Sequence, residues 1–262
     1  MEIGVLSKYK AVLFDVSGTL LRVEPSVGEV YATYARPFGF KGSGKELNRL
    51  FHKEWINSGG IESLGKKSGE QAERDFWKSL VFQVFEHSGG LENFEHYFEI
   101  IYEAFARKDH WHVFDDVIDS GILEKLKNSS ITLGVVSNWD SRLHTILKGT
   151  GLAEYFDFIL ASAEVGSAKP DKNIFNEARE KALKEINSKK EVLDKQIDEE
   201  IVKAEQEIKT LQSGAADKIN KIAIDTSSEL IQKLIGAEVN NSSISAIVDD
   251  LSKRSGNKYY GN

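Results

Sequence analysis

Apolar positions along the chain follow two rhythms, and the change from one to the other divides the sequence. In the first part, short apolar runs alternate with helical stripes. The runs Ala11–Phe14, Thr132–Val136 and Phe156–Leu160 are rich in β-branched and aromatic residues and lead into turn-forming residues, so each predicts a buried strand. Ile122, Leu123 and Leu126 before the second run, and Leu143, Ile146 and Leu147 after it, are spaced as one face of a helix. Helix alternating with strand predicts an α/β fold, with parallel strands joined by right-handed crossovers. Between the first run and Ile122 lies an aromatic-rich insert of roughly ninety residues, with helical stripes Phe76-Leu80-Val84 and Phe94-Tyr97-Phe98-Ile101-Phe105. An insert of that length, placed just after the first strand, predicts either a lid over the strand end or an ordinary helical core.

The second rhythm has a longer period. Ile186, Ile197, Ile208, Ile219 and Leu230 recur every eleven residues, as do Leu193, Ala204 and Ala215, then Ile201, Ala223 and Leu234 with Gln212 interrupting. Eleven residues over three turns is the period of a right-handed supercoil. The pattern predicts one helix from about Asp171 to Ile235, roughly 95 Å long at 1.5 Å per residue. A lone helix cannot bury so narrow a stripe, which therefore predicts a partner helix; a solvated polar helix is the alternative. Gly236 is placed to end it. Val239–Leu251 then reads as a short amphipathic helix with Ile244, Ile247, Val248 and Leu251 on one face, followed by a tail from Ser252.

Composition sharpens the boundary. Of the 4 Trp, 8 Tyr and 14 Phe, all but Tyr259 and Tyr260 lie at or before Phe175, and so do Pro25, Pro37 and Pro170. The expected division is a globular domain over 1–176 (core about 1–21 and 113–176, cap about 22–112), a long helix over 177–236, and a short helix and tail over 237–262. The absence of Cys excludes disulfides, thiolate zinc sites and a cysteine nucleophile. A net charge of −7 disfavours a nucleic-acid partner. No leader pattern and no membrane-length apolar run is present, so a cytoplasmic protein is expected.

Candidate chemistry sits at the strand ends. Asp15-Val-Ser-Gly-Thr-Leu20 delivers a carboxylate into a tight turn, where open α/β sheets place their sites. Ser137-Asn138 closes the second strand with a hydroxyl and an amide, and Lys169-Pro170 follows the third with an ammonium. Singly, each has a plain structural reading: a capping Asp, a Ser-Asn turn, a solvated Lys. Acid, hydroxyl and lysine in this order, each after its own strand, is the rarer pattern.

These three segments resemble the first three motifs of the haloacid dehalogenase superfamily over residues about 9–180. Ser26-Val-Gly-Glu-Val-Tyr31 and Phe156-Asp-Phe-Ile-Leu160 further resemble its subgroup called haloacid dehalogenase-like hydrolase domain-containing 3. The resemblance implies a Rossmannoid parallel sheet with a helical cap, here incomplete, followed by a coiled-coil helix. It implies Asp15 as the nucleophile forming an aspartyl-phosphate, and Lys169 neutralising its charge. Ser137, Asn138 and Thr19 would hold the phosphorylated substrate, and Asp15 with the Ser17 carbonyl would bind Mg²⁺. Two departures weaken this reading. The family's second Asp is replaced by Ser17, which cannot shuttle a proton near neutral pH; losing such help costs roughly 10²–10⁴-fold. The fourth strand with its metal-binding acids is missing, since Ile222-Ala-Ile-Asp225 sits inside helical periodicity. Ala11–Phe14 should then be an exposed sheet edge.

The second part resembles the C-terminal half of the b or b′ subunit of a bacterial-type ATP synthase, through Lys203-Ala-Glu-Gln-Glu-Ile208, Ile222-Ala223 and Ser227–Ile235. That resemblance implies a dimeric strut, homodimeric or b/b′-like, formed through Ile186, Ile197, Ile208, Ile219 and Leu230, and a peripheral place at the inner membrane. The main expectation is a hydrolase domain impaired by truncation and joined to a dimerising helix. The alternatives are a peripheral-stalk-like structural protein with a non-catalytic N-terminal domain, and an active Mg²⁺-dependent phosphatase.

Overall fold

The structure, a computed structural model, describes residues 9–67, 69–129, 131–236 and 240–255. The chain forms β1 (Ala11–Phe14), β2 (Leu21–Val23), α1 (Val27–Ala35), α2 (Gly44–Ser58), α3 (Glu70–Glu86), α4 (Phe94–Ala104), β3 (Trp111–Val113), α5 (Asp115–Asp119), α6 (Ile122–Lys127), β4 (Thr132–Ser137), α7 (Leu143–Gly149), β5 (Phe158–Ala161), α8 (Ser162–Val165), α9 (Lys172–Ile235) and α10 (Asn241–Ser255). Compact packing divides it after Lys189.

In the first unit, β1, β4 and β5 form a parallel sheet in that order, with Val12 opposite Leu133 and Val135 opposite Ile159. All six residues of β4 are buried, as expected of a central strand covered on both faces. One face packs Val136, Phe158 and Leu160 against Ile174, Ala178 and Ala182 of the first turns of α9. The other packs Val135 against Leu123, Leu143, Ile146 and Leu147 of α6 and α7. Gly134 is a packing requirement, because a Cβ there would lie 2.3 Å from the Phe158 ring.

Among the described residues no strand pairs with the outer side of β1, and Leu13 is 43% exposed there. The expected edge is therefore present, and Ile222–Asp225 lies within α9. The compositional change near 176 and the packing change at Lys189 do not coincide, because the first turns of α9 supply one wall of the sheet.

The insert is helical and has its own core, in which Tyr31, Leu47, Val84, Phe85, Tyr97 and Phe98 are buried. Ser26 and Ser43 cap α1 and α2 by accepting hydrogen bonds from the Glu29 and Glu46 amides at 3.3 and 3.2 Å. An antiparallel pair, β2 with β3, carries the chain into and out of the cap. At three residues per strand it is too short to leave an alternating signature in the sequence. The third predicted strand starts two residues later than expected, at Phe158, since Asp157 turns its carboxylate back to accept from the Leu133 amide at 2.8 Å.

In the second unit, α9 continues without interruption to Ile235. It ends at Gly236, whose φ of 69° lies in the left-handed region and whose N–H donates to Gln232 O at 3.0 Å. α10 begins at Asn241 and extends to Ser255, so the expected tail from Ser252 is helical for its first four residues. Val239, Tyr259 and Tyr260 lie outside the described residues. Ile244 is buried, whereas Ile197, Ile208, Ile219 and Leu230 are all about half exposed (47–55%). The eleven-residue stripe thus runs along α9 uncovered. No helix among the described residues is long and apolar enough to cross a membrane.

Two glycines give opposite expectations. A Cβ on Gly28 would meet backbone atoms Asn48 N and Gly44 O at 2.2 Å where α1 crosses α2, so Gly28→Ala should destabilise the first unit by about 1–3 kcal/mol. Gly214 lies within α9 with open space around it, so Gly214→Ala should stabilise that helix by about 1 kcal/mol. Denaturant midpoints followed by circular dichroism measure both.

Candidate active site

β1 ends by turning sharply, and that turn places Asp15. The Val16 amide donates to Asp15 Oδ1 at 2.8 Å, Gly18 takes a φ of 73°, and the Gly18 and Leu20 amides close the turn onto Leu21 O and Val16 O at 3.0 and 2.8 Å. Parallel pairing with β4 brings the end of the neighbouring strand alongside. The buried Ser137 hydroxyl therefore donates to the same oxygen, Asp15 Oδ1, at 2.8 Å. The Lys169 ammonium lies 2.7 Å from that oxygen as well.

Lys169 is held there by Asn138. The Lys169 amide donates to Asn138 Oδ1 at 2.7 Å, while Asn138 Nδ2 donates to Lys169 O at 3.0 Å and to Glu62 Oε1 at 2.9 Å. Asn138 was expected to present its amide to substrate; its amide is instead engaged in fastening the lysine loop. Thr19 and Ser17 are exposed on the turn, and the Thr19 amide donates back to Val16 O at 3.2 Å. Asp15, Ser137 and Lys169 thus meet at one point with Asn138 behind them, while Thr19 lies on the exposed turn.

Burial alone would raise the Asp15 pKa. Hydrogen bonds from Lys169, Ser137 and the Val16 amide, together with the lysine charge, outweigh it and hold the carboxyl below its ordinary 3.8. The group is an ionised carboxylate at neutral pH. Oδ1 takes all three contacts, so Oδ2 is the oxygen that can act as a nucleophile.

The donors fit Mg²⁺ poorly. Among the described residues no group of three or more His, Asp or Glu is placed to hold a metal ion. The nearby acids are committed. Both oxygens of Asp140 are bound by Arg142 and Trp77, at 2.6–3.0 Å, and Glu62 is bonded to Asn138. The Lys169 ammonium already neutralises the charge at Asp15 that a cation would meet. Mg²⁺ demands near-octahedral oxygen ligation, which one carboxylate and a carbonyl do not supply.

A cavity of about 680 Å³ opens over Asp15 between sheet and cap. Two acids outside the sequence motifs tie the cap to the core beside it, and one of them, Asp140, lines it. Glu73 of α3 accepts from the Ser141 amide and hydroxyl at 2.9 and 2.6 Å, and Asp140 accepts from the Trp77 indole at 2.6 Å. The sequence signal available was the polar triplet Asp140-Ser141-Arg142 directly after Trp139, uninformative without knowing that α3 lies above it.

A family model described as a haloacid dehalogenase-like hydrolase matches residues 9–193. Human haloacid dehalogenase-like hydrolase domain-containing protein 3 is 36% identical over 169 residues, covering 63% of this chain and 66% of that protein; the chain thus spans just under two thirds of its length. ATP synthase subunit b of Pelagibacter ubique is 44% identical over 161 residues, covering 57% of this chain and 88% of that protein. The solved L-2-haloacid dehalogenase of Xanthobacter autotrophicus superposes with a TM-score of 0.50 at 17% identity, over 66% of this chain and 64% of that one, a likeness of fold.

Replacing Lys169 by Met should leave the burial of Asp15 uncompensated and raise its pKa, which carboxyl-detected NMR titration reads. Because the folded pKa is depressed, the stability Asp15 contributes is present above the ordinary carboxyl pKa and is lost as pH falls through the folded value. The Lys169→Met variant should therefore lose part of the acid-dependent change in denaturant midpoint that the unsubstituted protein shows below about pH 4.

Proposed function

We propose, for a chain that belongs to the haloacid dehalogenase-like hydrolase family across residues 9–193, that the first unit is a weakened phosphate-monoester hydrolase carried on a dimerising helix. The observation that supports the hydrolase is the convergence of Ser137 and Lys169 on Asp15 Oδ1 at 2.8 and 2.7 Å. In this reading Asp15 Oδ2 attacks phosphorus, the acyl-phosphate (mixed anhydride) bond of an aspartyl-phosphate forms, and the bond to the leaving oxygen breaks. That oxygen takes its proton from water. A second water then attacks phosphorus, releases inorganic phosphate and restores the carboxylate. Lys169 offsets charge on the nucleophile and on the transferring group, and Ser137 orients both. Thr19, exposed on the turn after Asp15, would offer its hydroxyl to a phosphate oxygen.

The weakness follows from Ser17. With Ser17 in place of an acid two residues after Asp15, turnover should fall roughly 10²–10⁴-fold below that of a site with such an acid. Mg²⁺ is the expected cofactor of the resemblance, with Asp15 and the Ser17 carbonyl as its ligands; their poor fit to the ion is a second reason for low activity, and no step above depends on it.

The helical part supports a second, structural role. The uncovered stripe Ile197, Ile208, Ile219 and Leu230 is the surface on which a partner helix would lie, and Ile186, half-buried in the first unit, is the first member of the same repeat. That partner is a second copy or a b/b′-like helix, as the similarity to subunit b suggests. A non-catalytic first unit on a structural strut is the form this reading takes if the hydrolase fails. A strut of this kind would place the protein in the cytoplasm, peripheral to a membrane-bound assembly.

Purified protein should hydrolyse 4-nitrophenyl phosphate slowly, and Asp15→Asn should reduce the rate to buffer background; an unchanged rate removes Asp15 as nucleophile. Sedimentation should show a concentration-dependent dimer, alone or with a stalk partner chain. Replacing Ile197, Ile208 and Ile219 together by Asp should abolish it, and an unaltered association state would refute the stripe as the interface.

A further inference from the structure

The cavity over Asp15 is lined both by charged groups and by aromatic rings. We infer that it selects phosphate monoesters of aromatic alcohols, with the phosphate at Lys169 and Ser137 and the ring among tryptophans. The inference rests on the phosphate-ester reading of Asp15 and adds to it the class of leaving group.

All four tryptophans of the chain line this cavity, although they come from four separate elements: Trp55 on α2, Trp77 on α3, Trp111 on β3 and Trp139 just after β4. They form two pairs. Trp55 and Trp77 stack with centroids 5.6 Å apart and planes 29° apart, and Trp111 and Trp139 lie 5.1 Å apart at 51°. Such rings could be ordinary core. Their exposure argues otherwise: Phe85 and Tyr97 of the cap core are fully buried, whereas all four tryptophans keep intermediate exposure. A cavity that retains ring surface toward a ligand gains most from a flat, polarisable guest.

Several of the polar groups along the same walls are engaged with the protein. Asn48 Oδ1 accepts from the Gly28 amide at 3.2 Å. Arg142 is bonded to Asp140 and lies between the rings of Trp77 and Tyr102, at 5.2 and 4.2 Å from their centroids. The Trp77 and Trp111 indole N–H groups donate to Asp140 and to Phe105 O. Hydroxyls of a sugar or polyol phosphate placed beside these groups would meet partners already engaged and lose their hydration. An aryl group needs only the ring faces. The volume, about 680 Å³, accommodates a phosphate with one or two fused rings.

The test uses the full chain and its Asp15→Asn variant, which permits titration without turnover. Phenyl phosphate, glycerol 3-phosphate, inorganic phosphate and phenol are titrated by calorimetry, with intrinsic tryptophan emission as the second readout. Phenyl phosphate should bind at least about tenfold more tightly than glycerol 3-phosphate and shift or quench the emission, since only the phenyl ester can pack a ring against the tryptophans. Trp139→Leu should remove most of that advantage and leave inorganic phosphate affinity unchanged, and Trp139→Phe should restore it in part. Equal affinities for the phenyl and glycerol esters, or binding without an emission change, would overturn the aryl selectivity and leave the phosphate reading standing. Failure of all three phosphates to bind would overturn both. Phenol binding as tightly as phenyl phosphate would overturn the assignment of the anion to Lys169.

Discussion

One carboxylate oxygen organises the first unit. Asp15 Oδ1 receives the Val16 amide, the Ser137 hydroxyl and the Lys169 ammonium, and each of these groups arrives on a different segment. The amide fixes the turn after β1. The hydroxyl reports that β1 and β4 are parallel and in register. The ammonium draws the loop after β5 across the strand ends, where Asn138 clamps it. A single partly buried anion therefore couples the sheet's pairing to the chemistry at its carboxyl end. Its neutralisation by a lysine keeps that anion tolerable in a half-enclosed site.

The same arrangement explains what the unit lacks. The lysine and the hydroxyl satisfy the carboxylate without recruiting a further acid, and the acids near it serve packing: Asp140 holds Arg142 and Trp77, and Glu73 holds Ser141. Where a further strand beside β1 would bring another strand end to the site, the chain enters α9. The first turns of that helix wall one face of the sheet and leave the outer side of β1 open. One helix thus completes the hydrophobic packing of the domain without completing its sheet.

The strands and their end residues were legible because both Ala11–Phe14 and Thr132–Val136 are continuous apolar runs, although of the two only the central β4 is buried and the edge strand β1, expected to be buried, has no buried residue. Asp15, Ser137 and Lys169 were legible as a set because parallel α/β topology brings strand ends to one edge. α9 was legible through its period, which no tertiary contact is needed to produce. The β2–β3 ribbon was not, since three residues carry no period. The role of Asn138 was misread because an amide beside a strand end looks the same whether it faces a ligand or a loop. The cap-to-core ties of Glu73 and Asp140 were invisible, because they depend on where α3 comes to rest.

By itself, then, the sequence determined local periodicity: which segments are strands, where the eleven-residue helix runs, and which residues stand at strand ends. Those properties are set by the spacing of apolar side chains and by turn chemistry within a few residues. Tertiary structure alone decided which oxygen of Asp15 is engaged, that Asn138 serves Lys169, and that four tryptophans scattered between residues 55 and 139 face one cavity. Each of these is a contact between segments far apart in the chain, fixed by the packing of the cap over the sheet, and no local pattern of residues encodes it.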